Sequence, residues 1–118
     1  MPTISREDAT VEFADGDAEL RATQAGDMTV AFVRVPQGAD FRPALEGLPG
    51  DMCQCPHWGY ILKGRIRMHT PTGEEEYAAG DVVYWPPGHA PEALEDSEYI
   101  DFSPTDEFRP VLDHIKGQ

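Results

Sequence analysis

Gly80-Asp81-Val82-Val83-Tyr84-Trp85-Pro86-Pro87-Gly88-His89 is the stretch that decides how this chain folds. Its β-branched and aromatic middle, Val82 to Trp85, lies between two sets of chain-reversing residues, Ala79-Gly80-Asp81 and Pro86-Pro87-Gly88. That grouping predicts a short strand held between tight turns. Outward from it the same alternation recurs. Runs rich in β-branched and aromatic residues occupy 10–13, 28–35, 60–62, 66–69, 76–78 and 98–102, with turn residues at 14–17, 36–38, 63–64 and 71–73. The pattern predicts about ten short strands in an all-β sandwich or barrel. Near the C-terminus Phe108, Val111, Leu112 and Ile115 recur at helical spacing and Gly117 follows as a stop, which predicts one short helix packed on the outside of the barrel as a lid. Pro110 fits best in its first turn, where a missing N–H costs nothing.

The bulk numbers narrow the class. A length of 118 residues with 40% hydrophobic content suits one domain over 1–118 with a single core. No apolar run nears the roughly 20 residues that span a bilayer. The first residues, Met1-Pro2-Thr3-Ile4-Ser5-Arg6, carry no apolar signal segment, so a cytoplasmic location is expected. With 22 acidic against 9 basic residues and a formal charge of −13, the surface repels nucleic acid and anionic lipid.

The chemistry concentrates in Cys53-Gln54-Cys55-Pro56-His57. If this segment is extended, alternate side chains share a face, so Cys53, Cys55 and His57 project together. Two thiols and an imidazole suit a divalent ion, Zn²⁺ first, with Fe²⁺, Ni²⁺ or Cu also compatible. The competing reading is packing, since cysteine is among the most buried residue types. A disulfide between Cys53 and Cys55 is not expected, because parallel side chains two apart in a strand lie roughly 7 Å from each other. A further ligand must come from another strand, and His89, after the Pro86-Pro87-Gly88 turn, is the candidate; the alternative for it is a solvated loop residue. His69 and His114 are weaker. Trp58, Tyr84 and Trp85 flank the two segments and line a pocket in one reading, core or interface in the other. Tyr60 and Leu62 fall on the outer face of their strand, which points to a homodimer contact. Arg65 and Arg67 are placed to pair across strands with Glu74-Glu75-Glu76.

The region from about 50 to 91 resembles the cupin superfamily. Gly80, Pro86 and Gly88 match the spacing of its second motif, Gly-x5-Pro-x-Gly-x2-His, and Tyr60-Ile61-Leu62-Lys63-Gly64 is similar to the strand and turn that close the first. The resemblance implies a double-stranded β-helix, a jelly-roll-like barrel, with a metal inside. Aligned on 60–64, His57 stands at the family's glutamate, Cys53 at its second histidine and Asp51 at its first. Pro91 replaces the motif's last histidine, and His89 is available two residues earlier. The resemblance implies no settled activity; a metal site of this kind can belong to a small metal-binding enzyme acting on a small organic molecule as a dioxygenase, isomerase or lyase. The alternative is a non-catalytic module that binds or senses a small molecule or metal. Coordination number separates the two, since four protein ligands close the shell and three leave a position open. Thiol redox chemistry without metal is a third reading.

Overall fold

A computed structural model of the chain describes residues 3–117; Met1 and Pro2, part of the N-terminal reading above, lie outside the described residues. Among these there are nine strands: β1 Thr10–Asp15, β2 Ala18–Ala25, β3 Met28–Val35, β4 His57–Lys63, β5 Arg65–Thr70, β6 Gly73–Ala78, β7 Val82–Trp85, β8 Ala90–Ala93 and β9 Ser97–Pro104. A one-turn helix, α1 Arg42–Leu45, precedes β4, and α2 Thr105–Lys116 ends the chain. Six strands form one sheet in the order β1-β2-β3-β9-β4-β7, and β6-β5-β8 form the other. Every pairing is antiparallel. The two sheets and α2 enclose one buried cluster that includes Leu20, Val33, Ile61, Met68, Trp85 and Tyr99. Fully burying such a side chain contributes about 1.5–3 kcal/mol.

Side-chain alternation explains what each strand presents. In β4, His57, Gly59 and Ile61 are buried while Trp58, Tyr60 and Leu62 are exposed. In β7, Val83 and Trp85 face in, and Val82 and Tyr84 face out. Ile66 and Met68 of β5 return to the interior, as the turn at Lys63-Gly64 predicts. The expected cross-strand ion pairs form between Arg65 and Glu76 and between Arg67 and both Glu74 and Glu76. Such exposed pairs contribute little, about 0–1 kcal/mol each.

Two expectations are corrected. The first concerns α2, which starts at Thr105 and so places Pro110 beyond the first turn. Pro110 and Asp106 are both exposed, so water can satisfy the Asp106 carbonyl that loses its partner there, which makes the proline tolerable. The helix also does more than cover the outer wall. Phe108 and Val111 line the internal cavity described below, so α2 closes the barrel's mouth. It is held by a bond between the Thr29 and Thr105 hydroxyls at 2.9 Å and by ion pairs from Arg109 and Lys116 to Glu12 at 3.1 Å each. Gly117 stops it as expected, donating its N–H to the Asp113 carbonyl at 3.1 Å.

The second correction concerns residues 53–56, which are not a strand. Only Cys53 makes a bridge, to His89, and β4 begins at His57. Alternation therefore cannot by itself put Cys53, Cys55 and His57 on one wall.

Candidate metal centre

Cys53 is tied to the turn that carries His89. Its N–H donates to the His89 carbonyl at 2.8 Å, and its own carbonyl accepts from the N–H groups of Gly88 at 2.8 Å and His89 at 3.2 Å. The tight return of Pro86-Pro87-Gly88 needs Gly88 at φ 94°, a left-handed conformation that costs glycine little. This clasp joins the cysteine segment to the second motif. His57 enters from the start of β4, paired with Trp85 of β7. One ligand atom each from Cys53, His57 and His89 then falls within 4.8 Å of the others, and all three residues are buried. Cys53 Sγ and His57 Nε2 are 3.5 Å apart.

Hydrogen bonds to the remaining ring nitrogens orient both imidazoles. His89 Nδ1 donates to the Pro86 carbonyl at 2.8 Å, which leaves Nε2 with the lone pair. His57 Nδ1 lies 2.5 Å from Ser103 Oγ; with that hydroxyl accepting, His57 Nε2 is likewise the free acceptor beside Cys53. Histidines that ligate metals are commonly fixed through their other nitrogen in this way. Burial, with His89 nearby, pushes the His57 pKa well below the ordinary 6.5, and burial lowers His89 against the opposing Pro86 carbonyl. Both rings are therefore neutral near pH 7, the form that binds a cation. Burial pushes the Cys53 thiol up to about 12. A bound cation supplies the opposite charge that would release that proton. Without one, these thiols are poor nucleophiles, which counts against metal-free redox chemistry.

Cys55 does not join the group. It is fully buried, with Sγ 3.4 Å from the Pro56 carbonyl, so for this residue the packing reading describes what is seen. Both cysteines are free, as expected. Asp51 lies in an exposed turn, where its Oδ1 accepts the Gly47 N–H at 3.0 Å. His69 is engaged by Glu92 at 2.8 Å and His114 by the Glu46 carbonyl at 2.7 Å. The aromatic trio divides. Trp85 is buried and borders the cavity, whereas Trp58 and Tyr84 stack on the outer face with ring centroids 5.2 Å apart. For those two the pocket reading is replaced by the surface one, because they sit on the outward parity of β4 and β7.

The three candidate ligands border an internal cavity of about 40 Å³ beneath α2. That volume holds only a few water-sized groups, since one water needs about 10–15 Å³ of such space. Phe108 roofs it, its ring centroid 5.1 Å from that of His57. Asp101 also lines it and is buried, a residue the sequence reading passed over. A signal was present: in β9, Ser97, Tyr99, Asp101 and Ser103 share one parity and Ile100 and Phe102 the other. The inward face is thus the more polar one, an inversion that marks a lined cavity.

The barrel is similar in fold to solved cupin structures. KdgF from Halomonas sp. superposes with a TM-score of 0.63 at 19% identity, over 88% of this chain and 94% of that one. A Bacillus subtilis oxalate decarboxylase, OxdC in its S161A form, gives 0.65 at 19% identity over 88% of this chain, which spans only 30% of that longer protein. An RmlC-like cupin from Shewanella frigidimarina gives 0.61 at 15% identity, over 86% and 88% of the two chains. At these identities the likeness establishes the fold. No family model matches the sequence, and comparison with curated proteins finds no relative.

Proposed function

We propose that this chain is a single-domain metal-dependent cupin whose Cys53, His57 and His89 hold a divalent ion, Zn²⁺ first, and that it acts on a small organic molecule at the ion's open position. The observation that carries this is the gathering of three buried donors, rather than four, beside a cavity. A three-ligand centre keeps a place for water or substrate, whereas a fourth ligand at Cys55 would have favoured a structural or stored metal. When bound, such an ion polarises an oxygen function or activates a water. With zinc, which has no redox chemistry, the reaction classes that fit are isomerisation and lyase-type elimination; a dioxygenase would need a redox-active ion such as iron or copper instead. The small cavity and its roof, Phe108, limit the ligand to a few heavy atoms unless α2 moves.

Equilibrium dialysis of untagged, metal-stripped protein against Zn²⁺ tests this. One equivalent per chain and a rise in melting temperature are expected. A protein that takes up none of the divalent ions Zn²⁺, Fe²⁺, Ni²⁺ or Cu²⁺ would end the proposal.

The proposal includes a homodimer in the cytoplasm. Trp58, Tyr60, Leu62, Val82, Tyr84 and Phe102 are all exposed on adjacent strands of one sheet, next to its edge at β7. A patch of that kind is covered in most stable proteins, and self-association through two-fold symmetry is the simplest cover. Tyr60→Lys combined with Tyr84→Lys is expected to halve the mass measured by sedimentation, with unchanged circular dichroism. A wild-type protein that sediments as a monomer at tens of micromolar would refute this part.

A further inference from the structure

Asp101 has no task in the metal centre as described, yet it is costly to bury. A carboxylate removed from water destabilises the fold unless its oxygens are bonded, and here Oδ1 is buried without a partner among the described residues. Space has been made for it. On the two flanking strands the residues opposite are Gly59 and Ala31, the smallest side chains available. A methyl group at Gly59 would lie 2.5 Å from the Ile100 carbonyl oxygen and 3.1 Å from Asp101 Cβ. Asp101 borders the same cavity as Cys53, His57 and His89, but it does not belong to their close group of donors.

We propose that Asp101 is the second binding group of this cavity: its Oδ1 hydrogen bonds the hydroxyl of a small hydroxy acid whose carboxylate sits at the metal centre. The inference rests on the metal reading above and adds the ligand class. Asp101 and the three donors line one cavity of only about 40 Å³, and oxygen functions on adjacent carbons make the most compact ligand that could engage both. Burial, offset in part by Ser103, pushes the Asp101 carboxyl up to about 7. Near neutral pH it can therefore either accept the hydroxyl proton in a hydrogen bond or donate its own.

The test compares glycolate with acetate, which lacks the hydroxyl, by calorimetry on zinc-loaded protein. Wild type is expected to bind glycolate at least about tenfold more tightly than acetate, the scale of one charge-assisted hydrogen bond. Asp101→Ala is expected to bring that ratio to about one while acetate and zinc affinities stay within about twofold. Asp101→Asn, isosteric and less demanding on folding, is expected to give an intermediate ratio, about threefold below wild type. An unchanged ratio in either folded variant overturns the proposal, as does failure of zinc-loaded wild type to bind glycolate; both leave the metal reading standing. A loss of zinc in Asp101→Asn would make Asp101 a ligand and overturn it as well. A wild type that takes up none of Zn²⁺, Fe²⁺, Ni²⁺ or Cu²⁺ brings down both readings, so the two failures are distinguishable.

Discussion

Loss of any one of Cys53, His57 or His89 is expected to weaken Zn²⁺ binding by at least about a hundredfold, whereas Cys55→Ser binds it as the wild type does. Zinc sites built from protein ligands release about 10–16 kcal/mol in all, so each ligand accounts for several kcal/mol. The contrast between the two cysteines carries most of the information. The sequence alone predicts that Cys55→Ser depletes the metal, because in an extended strand both thiols share a wall. In the structure the Cys55 Sγ lies 3.4 Å from the Pro56 carbonyl, and Cys55 is not one of the three grouped residues. Competition of each variant against a chromogenic chelator measures the effect. Comparable zinc loss in Cys55→Ser and Cys53→Ser would mean that the segment is rearranged around the ion.

The metal-free protein is expected to lose stability on acidification below about pH 6.5, and Asp101→Asn is expected to make that loss steeper. Burial holds His57 and His89 below their ordinary pKa, while in the unfolded chain both titrate near 6.5. Below that pH the unfolded state therefore binds up to two more protons than the folded one, and stability falls by up to about 2.7 kcal/mol per pH unit. Asp101 acts in the opposite direction. Its folded pKa of about 7 lies above the ordinary 3.8 of an aspartate, so between those limits the folded state holds one more proton. Acidification then recovers about 1.4 kcal/mol per unit, and a rise in pH removes it. The loss on acidification is therefore expected to be steeper in Asp101→Asn than in wild type, by up to about 1.4 kcal/mol per unit. Urea denaturation at several pH values reads both slopes. Parallel curves for the two proteins would mean that Asp101 is ionised in the fold.

Much of this was legible in the sequence because β-branched and aromatic residues mark β3, β4, β5, β7 and β9 clearly, and their turns carry Gly, Pro or Asp. β2, with the sequence AELRATQA, and β8, APEA, are far less distinct. Alanine and glutamate are weak strand formers and Pro91 argues against a strand, so pairing with neighbours decides both. At the site, residue type and spacing single out Cys53, His57 and His89, which the structure brings together. Cys55 was misplaced because extended parity was applied to residues 53–56, where the chain is irregular and Cys53 is fixed by its clasp on Gly88 and His89. Asp101 was missed because an acidic residue in a strand is ordinarily a solvated one. Its shared parity with Tyr99 is the one hint in the sequence, and the burial of that face opposite Gly59 and Ala31 shows that it points in.

Cys53, His57 and His89, and no other side chain, are expected to hold the ion. X-ray absorption at the zinc edge on the loaded wild-type protein tests it most directly. The expected first shell is one sulfur at about 2.3 Å and two imidazole nitrogens at about 2.0–2.1 Å, completed by a light oxygen donor from solvent. A shell with two sulfurs, or one without imidazole, would contradict it.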